Sequence, residues 1–466
     1  MNKVKKIAII GGGISGLSLA YQLQKRFGQN PLVQIDLFEK KDRLGGVIET
    51  KTTNGFVIEK GPDGFLQQKP TVPNLAKDLG IDQELISTKL ENRRSLILQN
   101  NRLVEVPDGF YLMSPSKIIP FLKSPLLSWK GKFRTLVEPL IPAKKDNAEE
   151  SLSDFVRRRF GQENLEKISQ AMLGGIHTAD PDKLSMQSAL PRFSKMEQEH
   201  GSVMVAIMKN MARQANISGA RYGLFGSFRN GMSTLVEALS KKIPASSLHL
   251  GSQIQSVAFQ SLQRTWTFAW DGKKEDFDIV CFAIPPHAIA HLLPQLNPVE
   301  KSTLQSIPYA SSAVFHFAFR HQQINNLPPA VGFIVPHREQ KHFIACSFIS
   351  HKYDFRAPDG ITLLRVFAGG ALQEDLLKMP ENALCNMILD ELKAILNIQG
   401  NPVMQDMQFW PKSMPQYTLG HQSRAEKIHQ IFQSMPNGYL LGNAYQGIGT
   451  PDLIEQSQHL AQQINL

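Results

Sequence analysis

Gly11, Gly13 and Gly16 form a G-x-G-x-x-G turn, and their surroundings give it chemical meaning. An apolar run from Lys5 to Ile10 leads into the turn, and an apolar helical stretch, Leu17 to Leu23, leaves it. A second apolar run, Val33 to Phe38, ends in Glu39. Strand, glycine turn, helix, strand and acid together make a βαβ unit built for a dinucleotide. Gly11 makes the tight turn, Gly13 lets backbone approach a pyrophosphate, and Gly16 lets the helix pack on the strand. Ile14 and Ser15 open the helix, whose free N–H groups and positive dipole end suit phosphate. Glu39 accepts from ribose hydroxyls and argues against a 2′-phosphate. A glycine-rich turn of some other α/β fold would explain the glycines but not the whole set.

A second set of glycines follows the acid. Glu39-Lys40-Lys41-Asp42-Arg43-Leu44-Gly45-Gly46-Val47 adds a cation and a glycine pair, and Gly61-Pro62-Asp63-Gly64 adds a tight turn. The stretch is similar to the second fingerprint of FAD enzymes of the amine-oxidase class. Arg43 is then expected to meet phosphate charge, and Gly46 to let backbone pass close to a flavin. At the far end, Gly438 to Asn443 reads as a buried strand. It is followed by Gln446-Gly447-Ile448-Gly449-Thr450-Pro451 and a helix from Asp452 to Ile464. A glycine turn opening a helix again suits electronegative ligand atoms. In enzymes of this class it meets the flavin ring.

Other reactive residues form no recognisable set. Cys281, Cys346 and Cys385 lie far apart, with no C-x-x-C, which argues against a disulfide framework, a zinc site or an iron–sulfur site. His287 and His291 stand at i, i+4 but lack an accompanying acid motif, and Pro285-Pro286 marks a helix start there. No metal is expected. No paired carboxylates or Ser/His/Asp arrangement demands a catalytic role, so no catalytic side chain is nominated.

The elements that position these residues follow from the chain's layout. At 466 residues, with 42% hydrophobic content, the chain has room for two or three domains. The reading is an α/β fold: a discontinuous Rossmann-like FAD-binding domain, an α+β substrate domain and a helical, membrane-associating subdomain. Residues 1–88, 216–299 and 411–466 build the cofactor domain. Residues 89–215 are helix-rich, with one helix expected over 151–173, and residues 300–410 give a substrate-binding sheet. Tyr222 to Gly231 is glycine-rich and reads as irregular. The formal net charge of +10, with basic clusters at Lys3–Lys6, Arg93-Arg94, Lys144-Lys145 and Arg157–Arg159, favours acidic partners. No nucleic-acid motif is present. No stretch reaches the roughly 18 apolar residues of a membrane span. From Pro107 to Pro142, large apolar groups (Phe110, Tyr111, Leu112, Met113, Phe121, Leu126, Leu127, Trp129) alternate with Lys117, Lys123, Lys130, Lys132 and Arg134. That pattern fits either core helices or a surface that dips into lipid.

Across Lys5 to about Ile464 the chain resembles the oxygen-dependent, FAD-containing protoporphyrinogen oxidases, with the coproporphyrinogen III oxidases of that family nearly as close. Beyond the glycine motifs, the resemblance is carried by Gly174-Gly175-Ile176-His177-Thr178-Ala179-Asp180-Pro181, Phe228-Arg229-Asn230-Gly231-Met232, Ala283-Ile284-Pro285-Pro286 and Trp410-Pro411-Lys412-Ser413-Met414-Pro415-Gln416-Tyr417. It departs in the last helix, where Ile454-Glu455-Gln456-Ser457 lacks a glycine that the family often has.

The resemblance implies six-electron oxidation of protoporphyrinogen IX in haem biosynthesis, with FAD as cofactor and O2 as acceptor. Coproporphyrinogen III is the alternative substrate, and another flavin amine oxidase or a carotenoid desaturase is a more distant alternative. The resemblance also implies Val257, Asn443, Ile448, Gly449 and Thr450 as cofactor contacts, Arg94 as partner of a substrate propionate and Phe367 as a face against a substrate ring. A cytoplasmic enzyme, peripheral on the inner membrane and able to form a homodimer, completes the expectation.

Overall fold

The computed structural model describes residues 4–146, 148–213 and 225–466, without the side chains at 174–176 and 211–213. Lys3, the 222–224 part of the glycine-rich stretch, the boundary at 215/216 and the side chains of Gly174-Gly175-Ile176 lie outside that description.

The apolar runs at both ends of the chain meet in one parallel sheet. Its five strands stand in the order Leu248–His249, Val33–Phe38, Lys5–Ile10, Ile279–Phe282 and Gly438–Leu440. Strands buried on both faces read as continuous apolar runs, which is why Ile7 to Ile10 and Ile279 to Phe282 carry almost no polar residues. The opening helix, Ile14–Phe27, and the last helix, Thr450–Gln463, pack into a shared core through Ile14, Leu17, Ile454 and Leu460. An antiparallel meander, Ile254–Gln260, Thr265–Trp270 and Lys273–Phe277, covers the sheet with an aromatic cluster around Phe38, Trp266 and Phe268.

Beside this domain lies a seven-stranded sheet. Its order is Met404–Pro415, Tyr309–Arg320, Ile361–Gly369, Ala345–Phe348, Gly332–Ile334, Leu96–Gln99 and Arg102–Glu105. The helix Glu381–Leu396 packs on it through Leu384, Ile388 and Leu392. The last two strands of that order correct the reading of 89–215 as helical. They form a hairpin closed by Asn100 and Asn101, both at positive φ (51° and 58°), the backbone a two-residue type I′ turn requires. The segment also carries small strands at Phe110–Tyr111 and Ser114–Pro115 before its helices begin at Ile118.

The helix expected over 151–173 is broken. Ser151 does cap it, accepting from the Asp154 N–H at 3.0 Å, but Gly161 at φ +93° ends the first piece at Arg159. A π-helical turn, Leu165–Ser169, joins the later pieces. Within the irregular stretch, Phe225–Phe228 is instead a strand, paired with Phe65–Leu66 and Leu85–Ser87.

Several basic clusters are engaged internally. Arg159 is fully buried and bonds Glu138 and Glu197. Arg158 pairs with Glu150 at 2.7 Å and Glu197 at 2.6 Å, and Arg157 with Asp154 at 2.8 Å. Lys6 meets Glu275 at 2.6 Å, and Lys5 meets Asp278 at 3.2 Å. Two of the runs that suggested acidic partners, at Lys5-Lys6 and Arg157–Arg159, are thus paired within the fold.

Candidate active site

The glycine turn needs its glycines for two different reasons. A Cβ on Gly11, at φ +106°, would stand 2.6 Å from the Ala283 carbonyl oxygen, and one on Gly16 would stand 2.0 Å from that of Gly11. Those positions are sterically closed. A Cβ on Gly13 would meet nothing nearer than the Gly46 Cα at 4.0 Å, so its glycine leaves open room beside the backbone. No side chain caps the helix that begins at Ile14, and no acid stands in its first turn. Glu39 holds the turn from below: its carboxylate accepts from the Gly12 N–H at 2.7 Å and the Lys41 N–H at 2.9 Å. Each carboxylate oxygen keeps capacity for a further donor, such as a ribose hydroxyl.

The Gly45–Gly46 loop closes over this turn, with the Gly45 N–H on the Gly12 carbonyl at 2.8 Å. Arg43, expected to face phosphate, is turned onto its own loop: it pairs with Glu49 and donates to the Gly46 carbonyl at 2.9 Å. Its place is that of a brace. Lys40 and Val47 are exposed beside it. Gly61 passes so close to the Val47 carbonyl that a Cβ would overlap it at 1.7 Å, which holds the start of the Gly61–Gly64 turn against that loop.

The last helix joins from the other side. Ser457 donates to the Ser15 carbonyl at 2.8 Å, and about 10 Å of helix separates it from Thr450. Gly449, Thr450 and the adjoining Ile448 thus lie along the groove from the first helix's start. Asn443 is fixed through its carbonyl, which accepts from the Tyr417 hydroxyl at 2.7 Å. Val257 is fully buried within the meander core.

A cavity of about 710 Å³ opens where the groove meets the seven-stranded sheet. Gly64 and Gly447 to Thr450 line it on the cofactor side, Phe367 and Tyr417 on the sheet side, and Met172, Leu190 and Arg192 on the helical side. The volume falls within the roughly 300–1,000 Å³ typical of sites that enclose an organic ligand. Phe367 lies under the Arg365 guanidinium, 4.6 Å from its ring centroid. Arg94 is not brought into the lining. Its carbonyl accepts from the Val331 N–H at 3.0 Å, but its side chain is exposed and faces Glu105 at 3.4 Å.

A buried charge network that no motif announced links the sheet to the Gly61–Gly64 turn. Lys352 meets Asp63 at 2.7 Å and Arg365 meets it at 3.5 Å, while Arg365 also donates to the Gly61 carbonyl. Burial pushes the Asp63 carboxyl up, but Lys352 and Arg365 outweigh it and bring it down to about 2. Arg356 donates to the carbonyls of Phe228 and Arg229 at 2.9 and 2.8 Å. A signal existed in the sequence: Leu363-Leu364-Arg365-Val366-Phe367 puts a cation in the middle of an apolar strand.

The residues of the Trp410–Tyr417 block act as joints. The Trp410 indole donates to the Lys60 carbonyl at 2.7 Å, and the Gln416 amide to the His177 carbonyl at 3.2 Å. Among the described residues there is no cluster of three or more His, Cys, Asp or Glu that could hold a metal.

An uncapped helix start beside an open glycine, the buried acid Glu39 at the end of the second strand and a second helix start about 10 Å along fit an extended dinucleotide whose far end reaches the cavity. This is the arrangement of an FAD oxidoreductase with a separate substrate sheet. The family model for flavin containing amine oxidoreductase matches residues 14–465, and the chain belongs to that family. It is 32% identical to a coproporphyrinogen III oxidase of Bacillus subtilis (strain 168), over 97% of this chain and 96% of that one. It is 28% identical to protoporphyrinogen oxidase 2, chloroplastic/mitochondrial, of Arabidopsis thaliana, over 95% of this chain and 90% of that one. Among solved structures, a protein from Exiguobacterium sp. 255-15, provisionally assigned as a protoporphyrinogen oxidase, superposes with a TM-score of 0.87 at 26% identity, covering 99% of both chains.

Proposed function

We propose that this FAD enzyme oxidises a porphyrinogen to a porphyrin in haem biosynthesis, with O2 as the electron acceptor. The observation that carries the reading is the cavity at the end of the flavin groove. It is large, mostly apolar in its lining, and provided with the cations Lys69 and Arg192. A porphyrinogen is a large apolar macrocycle that bears carboxylates. Full conversion removes six electrons and six protons, so one porphyrinogen and three O2 give one porphyrin and three H2O2.

Bound FAD supplies the two-electron acceptor for each step. The chain's own residues bind and orient. Glu39 and the start of the first helix would hold the cofactor's ribose and phosphates. The Asp63–Lys352–Arg365 network fixes the Gly61–Gly64 turn beside the cavity. Phe367 offers a flat apolar face to a substrate ring. Among the described residues the one acid of the lining, Asp452, pairs with Lys69 and accepts from the Gly449 N–H at 3.0 Å. It is committed as a helix cap, and proton loss is assigned to no side chain.

Coproporphyrinogen III is the substrate put first, on the similarity to the Bacillus subtilis enzyme and on the cation Arg192 of the lining. Protoporphyrinogen IX is the second reading. Its support is an exposed apolar patch with neighbouring lysines, Ile119, Trp129, Phe133 and Leu140 being between 67% and 82% exposed. Such a patch suits peripheral contact with an anionic membrane, from which an apolar substrate would enter. The purified holoenzyme, given each porphyrinogen in air and followed by porphyrin fluorescence, tests both. Faster turnover of coproporphyrinogen supports the first reading, and faster turnover of protoporphyrinogen the second. Bound FAD with porphyrin from neither overturns the proposal.

A further inference from the structure

Arg192 is an exposed cation of the cavity lining with no ion-pair partner among the described residues. It stands in the first turn of the helix Pro191–His200 and lines the cavity. Among the described residues its side chain makes no hydrogen bond or ion pair. Its guanidinium instead lies 5.1 Å from the Tyr111 ring centroid and 4.9 Å from that of Phe193. Two aromatic faces fix the direction of a guanidinium while leaving its five N–H donors free in their plane. The other lining cation differs in kind, since Lys69 is paired with Asp452. A cation in the first helical turn also faces the positive end of the helix dipole, so the local structure gives no reason for it. An oriented, uncompensated guanidinium beside an apolar cavity suits a carboxylate carried by an apolar ligand, because the fork matches two carboxylate oxygens.

We infer that Arg192 is a specificity-determining residue that grips a carboxylate side chain of the substrate; the inference rests on the porphyrinogen reading given above. Arg192 holds the macrocycle's acidic edge at the helical wall while a ring faces Phe367 on the sheet side. It takes no part in electron or proton transfer, so its loss acts on binding.

The test uses holoenzyme and the variants Arg192→Ala and Arg192→Lys, each checked for FAD content and melting temperature. Kinetics are measured with coproporphyrinogen III and with etioporphyrinogen, which has no carboxylates. Binding of coproporphyrin III is measured separately by fluorescence titration. Arg192→Ala is expected to raise KM for coproporphyrinogen and weaken coproporphyrin binding by roughly 10–100-fold, the value of a charge-assisted bond. Its kcat should stay within about twofold, and etioporphyrinogen turnover should not change. Arg192→Lys should recover part of the affinity, since a lysine keeps the charge but loses the fork. The inference is overturned if wild type turns over coproporphyrinogen and Arg192→Ala matches its KM and its binding. An equal loss for etioporphyrinogen overturns it as well, by showing a packing defect. If wild-type holoenzyme neither oxidises a porphyrinogen nor binds coproporphyrin, the porphyrinogen reading fails first and takes this inference with it.

Discussion

At the scale of single residues, Gly13 and Gly16 separate what the cofactor needs from what the fold needs. Both belong to the same turn, yet only Gly16 is sterically closed, its Cβ falling 2.0 Å from the Gly11 carbonyl oxygen. Gly16→Ala must push helix from strand, at a cost of about 1–3 kcal/mol or more. Gly13 has φ −67° and open space, so Gly13→Ala meets no internal clash. Its methyl enters the room left for phosphate. Gly13→Ala should therefore melt within about 2 °C of the wild type when both are stripped of flavin, a neutral substitution by ordinary standards. It should also bind FAD at least tenfold more weakly, the equivalent of about 1.4 kcal/mol. Thermal melts of apoprotein together with FAD titrations check both halves. A large drop in the apoprotein melting temperature of Gly13→Ala would mean that the open space beside it belongs to packing.

At the scale of elements, the joint between the substrate sheet and the flavin groove runs through Asp63, with Lys352 from a short helix and Arg365 from a sheet strand. Its folded-state carboxyl titrates at about 2, below the ordinary aspartate value. A depressed acid contributes stability above its unfolded value, near 3.9, and loses that contribution as pH falls toward 2. The holoenzyme should thus lose on the order of 2 kcal/mol between pH 4 and pH 2 through this residue. Asp63→Asn should flatten that part of the profile. It should also lower stability at pH 7 by about 3 kcal/mol, because Lys352 and Arg365 are left without their shared anion. Denaturant melts across pH check the sign, and unchanged slopes in Asp63→Asn would remove Asp63 from the account.

This joint also marks where the sequence stops being legible. The βαβ unit could be read because its strand, turn, helix and acid are local, each with a backbone reason to be where it is. The network could not, because Asp63, Lys352 and Arg365 meet only after a sheet has paired segments hundreds of residues apart. The same distance effect made Arg157–Arg159 look like a basic surface, when Glu138, Glu150 and Glu197 answer Arg158 and Arg159. The hairpin at 96–105 has a local signal of its own, since Asn100-Asn101 between the short apolar runs Leu96–Leu98 and Leu103-Val104 favours a two-residue turn.

At the scale of the whole molecule, the segment 107–142 divides into a buried part and a presented part. Phe110, Leu112, Met113, Phe121, Leu126 and Leu127 are core, so most of the apolar weight that suggested lipid contact is explained by packing. What remains is Ile119, Trp129, Phe133 and Leu140, all exposed, on the helices Ile118–Lys123 and Trp129–Leu136 and the turn Glu138–Leu140. Lys132 lies 4.3 Å over the Trp129 ring and donates to the Leu122 carbonyl at 2.7 Å, which helps hold that indole outward. Among the described residues no helix is long and apolar enough to cross a membrane, so any lipid contact through these helices would be peripheral. Burying four large side chains at an interface offers several kcal/mol at roughly 1.5–3 kcal/mol each, before the losses of association. Nearby lysines add about 1 kcal/mol apiece on an anionic surface. The holoenzyme should then sediment with vesicles containing phosphatidylserine, less with purely zwitterionic ones, and less as salt rises. Trp129→Ala combined with Phe133→Ala should cut that binding at least tenfold while leaving turnover of a porphyrinogen in detergent unchanged, because neither residue lines the cavity. If the double variant binds vesicles as the wild type does, the patch is not the contact. If the wild type ignores anionic vesicles at low salt, the membrane proposal fails, and a porphyrinogen must reach the cavity from water, which favours the more carboxylated coproporphyrinogen III.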